Sequence, residues 1–179
     1  MSKSDFDIFI DKIDEIFSDD ILAYENISVE KALGSLLAKN DIKVSFVESI
    51  TGGLLSSLLV KNPGISKNFI GSDIVYGNQA KSILLNDNDI DFENWEELCV
   101  NLTHSSLEKY KTDICLTILG EAGPLSSSQY SVGTIFICIS NGDKTVITDH
   151  KMNGNREEIL QRSANKAQWE LIKFIKNLY

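Results

Sequence analysis

Apolar residues recur along the chain in two spacings, which predict helices and strands in alternation. Over residues 5–18, and again over 29–37, they return every three or four positions, as on one face of a helix. Short runs rich in β-branched and aromatic residues at 44–48, 69–76 and 113–119 are instead typical of strands. The first two runs lead into further helical patterns. The chain therefore alternates between strands and helices.

A late hairpin completes this pattern. Residues 132–140 predict another strand, Asn141-Gly142 is a hairpin signal, and residues 144–150 should return antiparallel before a final amphipathic helix. Such an order predicts a mixed sheet with helices on both faces. In sheets of this kind, ligands bind beyond the carboxyl ends of the strands. If the first three strands are parallel, Ser49, Lys81 and the loop at 120–123 are within reach of one pocket.

Composition indicates one domain of ordinary size. We expect residues 1–27 to form a helical extension and residues 28–179 to form the α/β domain. The net charge of −9 and the scattered lysines and arginines argue against a nucleic-acid or anionic-membrane surface. A chain this acidic needs a local cationic site to bind a phosphorylated metabolite.

Targeting and metal signals are weak. The N-terminus is too acidic for a signal peptide and no apolar run approaches membrane-spanning length, so we expect a cytoplasmic protein. The three cysteines are expected as core thiols, and the acidic loop at 86–91 lacks the spacing of a calcium loop. His104 and His150 lie in unrelated surroundings, which argues against a zinc site or a Ser-His-Asp triad. No metal is expected.

The best candidate for chemistry is the turn at residues 48–53, with the sequence Glu-Ser-Ile-Thr-Gly-Gly. It lies between a strand and a helix, where unpaired backbone N–H groups suit an anion or a developing oxyanion. Ser49 and Thr51 supply hydroxyls, and Gly52 and Gly53 leave the backbone open. The alternative is that Ser49 or Thr51 caps the helix.

Lys81 is a candidate base for the Ser49 hydroxyl of this turn. It falls in the first turn of a helix predicted at 79–85, directly beyond a strand end. A partly desolvated lysine can take the hydroxyl proton of serine as the oxygen attacks an acyl carbon. Ser49 and Lys81 are therefore a candidate Ser-Lys pair.

Several motifs in one order resemble those of a known family. Residues 48–53 resemble the Glu-Ser-Cys-Thr-Gly-Gly signature of the CinA C-terminal domain family, whose members include nicotinamide mononucleotide deamidases. Further matches follow at residues 62–66 (Asn-Pro-Gly-Ile-Ser), 75–81 (Val-Tyr-Gly-Asn-Gln-Ala-Lys), 120–124 (Gly-Glu-Ala-Gly-Pro), 132–134 (Val-Gly-Thr) and 154–156 (Gly-Asn-Arg). The resemblance covers about residues 28–175 and implies a three-layer α/β/α sandwich with a mixed, mostly parallel sheet.

The resemblance also implies a reaction and the residues that perform it. The carboxamide of nicotinamide mononucleotide would be hydrolysed to the carboxylate plus ammonia, a step in pyridine-nucleotide recycling. No organic cofactor is implied, and a homo-oligomer is compatible with the resemblance. Ser49 would be the nucleophile and Lys81 its base. The other implied positions bind the oxyanion or the substrate, with Arg156 as a phosphate partner: Thr51, Gly52, Gly53, Tyr76, Asn78, Gly120, Gly123 and Arg156.

Departures from the family pattern fall in the loops rather than in the strands. Ile50 replaces the signature cysteine, Gly77 replaces a usual serine, and Glu121 stands where the family has an apolar residue in a Gly-Ile-Ala-Gly-Pro loop. These changes keep an alternative open, a catalytically inactive relative that binds a nucleotide or a protein partner through the same cleft. A Ser49–Lys81 hydrogen bond beside an open pocket would favour the enzyme.

Overall fold

The computed structural model describes residues 27–178, in which strands and helices alternate until a final hairpin. The strands are β1 (Val44–Glu48), β2 (Phe69–Ile74), β3 (Ile114–Gly120), β4 (Thr134–Ser140) and β5 (Thr145–Lys151). The helices are α1 (Val29–Asn40), α2 (Leu54–Leu59), α3 (Asn78–Leu85), α4 (Trp95–Tyr110) and α5 (Arg156–Lys176). The extension predicted at residues 1–27 lies almost entirely outside the described residues.

The strands form one mixed sheet in the order β2-β1-β3-β4-β5. Strand β1 pairs in parallel with β2 and β3, and β4 pairs antiparallel with both β3 and β5. Glu48 is opposite Ile74 on one side and Ile118 on the other, so β1, β2 and β3 end at the same edge. The mixed sheet and the late hairpin are confirmed.

Helices cover both faces of the sheet. Helices α1, α2 and α5 pack with the core around Phe46 and Leu116, whereas α4 packs on the opposite face against Val47 and Cys115. Because both faces are covered, β1 and β3 are buried along nearly their whole length, which explains the mostly apolar sequence of β3. The α/β/α sandwich implied by the resemblance is therefore confirmed.

Three further observations on the described residues concern the cysteines, metal binding and membrane-spanning helices. The three cysteines are buried, unpaired thiols, and burial raises the pKa of Cys115 to about 11. In residues 27–178, no three His, Cys, Asp or Glu side chains are grouped so that they could hold a metal ion. Across the same residues, no helix combines the length and the apolar character needed to cross a membrane.

Candidate active site

A cavity of about 220 Å³ opens at the carboxyl ends of β1, β2 and β3. Ser49 reaches it from the turn after β1, and Lys81 reaches it from the first turn of α3. Arg156, the first residue of α5, also lines it. Sequence segments that are far apart in the chain thus supply a hydroxyl, an amine and a guanidinium to one space.

The turn that carries Ser49 is built around the carboxylate of Glu48, the last residue of β1. Glu48 has no exposed surface. Its Oε2 accepts hydrogen bonds from Thr51 Oγ1 (2.7 Å) and from the N–H groups of Gly53 (2.9 Å) and Leu55 (3.0 Å). Its Oε1 accepts from both the N–H (2.9 Å) and the hydroxyl (2.5 Å) of Ser56. Glu48 therefore caps α2 from the preceding strand and ties the turn to the sheet.

Ser49 lies between this anchored carboxylate and the cavity. Its N–H donates to the carbonyl of Ile118 at 3.1 Å, which extends the β1–β3 pairing by one residue, and its side chain is almost fully buried. Within residues 27–178, the next two N–H groups, those of Ile50 and Thr51, have no hydrogen-bond partner. These two N–H groups are the donors that the hydrogen bonds inside the turn leave unused.

Lys81 is buried in the cavity wall and is 7% exposed. Burial lowers the pKa of Lys81 below the ordinary lysine value of 10.5. Its Nζ donates to Oδ1 of Asn78 at 3.2 Å, and no carboxylate of the described residues forms an ion pair with it. A lysine in this position gives up its proton more readily than one in water.

Ser49 and Lys81 share the cavity without a direct hydrogen bond between them in the part of the chain that is described. The open cavity and the buried amine agree with what we expect of the enzyme, whereas the hydrogen bond that would favour the enzyme is not formed among the described residues. Proton transfer to a general base through one intervening water is a recognised geometry.

Arg156 is held at the mouth of the cavity by two neighbours. Its Nη1 donates to the carbonyl of Gly123 at 2.5 Å, and its Nη2 donates to the hydroxyl of Tyr76 at 2.7 Å. A guanidinium has five N–H donors, so these two bonds orient the group and leave others for a ligand. The acidic chain thus has the local cationic group that a phosphorylated ligand requires.

Carboxylates and aromatic rings complete the lining. Glu121 follows β3 and is 8% exposed, while Glu93 precedes α4 and is exposed. Phe92 and Trp95 also line the space, and the Trp95 ring is fixed against Tyr130 with ring centres 4.3 Å apart. The cavity therefore offers positive, negative and aromatic surface together.

Comparison with known proteins agrees with this architecture. The family model described as the CinA C-terminal domain matches residues 26–175. The chain belongs to the CinA C-terminal domain family. It is 32% identical over 180 residues to a CinA-like protein of Petrotoga mobilis, covering 98% of this chain and 44% of that protein. It is also 36% identical over 134 residues to a CinA-like protein of Pseudothermotoga lettingae, covering 72% of this chain and 33% of that protein.

Solved structures of the CinA superfamily share the fold. A competence-damaged protein (CinA) superfamily protein from Klebsiella pneumoniae superposes with a TM-score of 0.78 at 17% identity, covering 83% of this chain and 96% of that one. Another from Enterobacter cloacae superposes with a TM-score of 0.76 at 20% identity, covering 87% of this chain and 98% of that one. This CinA domain spans less than half the length of the curated relatives it matches.

The structure brings six of the predicted site residues to the cavity of this CinA domain. They are Ser49, Tyr76, Asn78, Lys81, Gly120 and Arg156. Gly120 has a packing role as well, because a Cβ there would lie 2.8 Å from both Ile50 Cδ1 and Ile135 Cγ2. The glycine thus lets the end of β3 pass close to its neighbours.

Four predicted residues do not line the cavity. The Thr51 hydroxyl and the Gly53 N–H donate to Glu48, and the Gly52 N–H donates to the carbonyl of Ser49 at 3.2 Å. These three donors are used inside the turn, whereas the Thr51 N–H has no partner among the described residues, so of residues 51–53 the Thr51 backbone is the part that stays a predicted oxyanion donor. The Gly123 carbonyl accepts from Arg156, and the close approach of this glycine to a ligand stays a prediction.

Sequence reasoning missed a second set of lining residues. Phe92 and Glu93 come from the segment before α4, Trp95 is the first residue of α4, and Ser127 and Ser128 come from the loop after β3. Trp95 is buried and also lines the cavity. The departure from the family at Glu121 was the available signal that this loop shapes the site.

Proposed function

We propose that this CinA domain is an amidohydrolase that converts nicotinamide mononucleotide to nicotinate mononucleotide plus ammonia. The observation that supports this most directly is the shared cavity of Ser49 and buried Lys81, which has no carboxylate ion pair among the described residues. A lysine with a lowered pKa accepts and returns a proton more readily than one in water, and a serine in the same cavity can attack an acyl carbon.

The first half of the reaction forms an acyl-enzyme. The Ser49 oxygen attacks the amide carbon while its proton passes to Nζ of Lys81, directly or through one water. The N–H groups of Ile50 and Thr51 donate to the resulting oxyanion. The carbon–nitrogen bond then breaks, and the proton on Lys81 goes to the departing nitrogen, which leaves as ammonia.

The second half uses water as the nucleophile. Lys81 takes a proton from the water, whose oxygen attacks the ester carbon, and the proton then returns to the oxygen of Ser49. The product is the carboxylic acid, which ionises. Asn78 holds Nζ of Lys81 throughout, and Arg156 binds the phosphate far from the reacting carbon.

The test is ammonia release from nicotinamide mononucleotide by the purified protein, with Ser49→Ala and Lys81→Ala in parallel. We expect Ser49→Ala to lose at least about a thousandfold in rate and Lys81→Ala to lose about 10²- to 10⁴-fold. Ser57→Ala is the matched control, because Ser57 is exposed on α2 and should keep full activity. Equal rates in the wild type and Ser49→Ala would rule out the serine mechanism.

One observation favours a second candidate, a catalytically inactive CinA-like domain that binds a nucleotide or a protein partner. Ser49 and Lys81 form no direct hydrogen bond among residues 27–178, and Glu48 has taken several donors of the turn. Quenching of Trp95 fluorescence on addition of the nucleotide measures its binding. Binding without ammonia release would support this candidate.

A further inference from the structure

Glu121 places a fixed carboxylate in the cavity. Its Oε1 accepts from the Ser127 hydroxyl at 2.8 Å and its Oε2 accepts from the Ser127 N–H at 3.2 Å. Its own backbone is fixed too, because its N–H donates to the carbonyl of Thr134 and its carbonyl accepts from Gly133. Each carboxylate oxygen still has a lone pair free for a ligand.

The surroundings strengthen any charge effect of this group. Glu121 is 8% exposed and lines the same cavity as the rings of Phe92 and Trp95. Water screens a charge poorly in such a place, so a second negative group nearby is repelled and a positive one is attracted. Glu93 also lines the cavity, but it is exposed, and solvent weakens its effect.

We infer that Glu121 determines specificity by charge, favouring a ligand whose heterocyclic end is cationic and bears an uncharged amide over one bearing a carboxylate. This inference rests on the proposed function. The pyridinium ring and the amide N–H₂ group of the substrate both suit a carboxylate acceptor. Hydrolysis replaces the amide with a carboxylate, so Glu121 then repels the product and promotes its release.

The test measures equilibrium binding of nicotinamide mononucleotide and nicotinate mononucleotide to the Ser49→Ala protein. These two ligands differ only in the group that the reaction changes. We expect the amide form to bind about tenfold more tightly or better. Adding Glu121→Gln should reduce this preference to about twofold or less, mainly by tightening the binding of the carboxylate form.

Two further variants control the comparison. Glu93→Gln makes the same change at an exposed carboxylate of the same cavity and should keep the preference. Glu121→Ile introduces the family's apolar residue, and it should lose the preference as Glu121→Gln does, so the test survives if one of the two fails to fold. An unchanged preference in a folded Glu121 variant, or equal binding of both ligands to Ser49→Ala, would overturn the inference.

Failure of the proposed function has a different signature. If the wild-type protein releases no ammonia while Ser49→Ala still prefers the amide form, the hydrolase fails and the charge selection by Glu121 is supported. If ammonia is released but the Glu121 variants keep the same ratio of affinities, the hydrolase is supported and the charge selection fails.

Discussion

Two turns at the same edge of the sheet use their polar groups in opposite ways. The turn between β1 and α2 folds around Glu48, whose buried carboxylate accepts from Thr51, Gly53 and the first turn of α2. The turn between β2 and α3 leads into the helix whose first turn carries Lys81, which is buried and has no carboxylate ion pair among the described residues. The first turn uses its hydrogen-bond donors within itself, whereas the second brings a buried amine to the cavity.

The difference shows which sequence feature marks a site. A glycine-rich turn before a helix offers backbone donors, but a carboxylate from the preceding strand can use them first. Burial of an amine whose only partner is an amide costs the folded protein stability, and groups with pKa values shifted by burial cluster at functional sites. In the turn after β1, only Ser49 and the two N–H groups that follow it stay available among the described residues.

Lys81→Met, in the first turn of α3, should produce the largest change in activity among the variants that compare the two regions. We expect ammonia release to fall by about 10²- to 10⁴-fold, the usual contribution of a general base. The free energy of unfolding should rise, because a buried cation without an ion partner is removed. Kinetic assays and chemical denaturation of the same preparation measure both effects.

The pH dependence of activity and stability in the wild type tests whether Lys81 acts as the base. Burial lowers the pKa of Lys81 in the folded protein, so kcat/KM should rise with pH around a midpoint below 10.5. Between that midpoint and 10.5, the unfolded chain binds more protons than the folded one, and stability should therefore also rise with pH. Lys67→Met, at an exposed lysine, is the control and should change neither profile.

Glu48→Gln tests the turn between β1 and α2, whose donors bind the Glu48 carboxylate. It should lower the stability that Lys81→Met raises. Six donors, among them the Ser72 hydroxyl at 3.5 Å, lose a charged acceptor, and we expect the free energy of unfolding to fall by about 3 kcal/mol. Activity should fall as well, because Ser49 loses its anchored neighbour. Urea titration measures the first effect and ammonia release the second.

The control for this change is Glu108→Gln, at an exposed glutamate on α4. It should leave stability within about 0.5 kcal/mol of the wild type. If Glu48→Gln is equally mild, then Glu48 does not hold the turn together, and the contrast between the two turns disappears.

Much of the fold could be predicted from the sequence, because local signals agree with the packing. The helical spacing over residues 29–37 matches α1, which begins at Val29, and the hairpin expected at Asn141-Gly142 connects β4 to β5. The run at 113–119 matches β3, which helices cover on both faces of the sheet.

The site was predicted less completely, because the directions of its side chains and the meeting of its loops depend on tertiary packing. The sequence shows that Glu48 precedes a glycine-rich turn, but not that its carboxylate folds back onto the N–H groups of that turn. The aromatic and acidic side of the cavity comes from the loops around Glu93 and Ser127, which meet only through tertiary packing. Residue spacing along the chain does not encode such a meeting.

Arg156→Ala tests a cation that neither turn supplies. Loss of a guanidinium from a phosphate weakens binding by about 10- to 100-fold, so KM for the mononucleotide should rise by that factor with a smaller change in kcat. The nucleoside without its phosphate should show the same KM with both proteins. Arg162→Ala, at an exposed arginine further along α5, is the control. A loss confined to kcat would contradict phosphate binding by Arg156.

Gly52→Ala, in the turn between β1 and α2, should have the smallest effect on activity and stability. Gly52 has φ +57°, and a Cβ there would meet no atom within 4 Å. The cost should be the backbone strain alone, about 1 kcal/mol of stability. Activity should stay within about twofold of the wild type, because Gly52 does not line the cavity.

Gly53→Ala sharpens this prediction. Gly53 has φ +102°, and its added Cβ would lie 3.1 Å from Ile74 Cδ1, so this variant should lose more stability than Gly52→Ala. Thermal melts and ammonia release on both variants separate strain from function. A folded Gly52→Ala protein with strongly reduced activity would mean that the ligand contacts the glycine part of the turn as well. The backbone of Gly52 would then belong to the site, together with Ser49 and the N–H groups of Ile50 and Thr51.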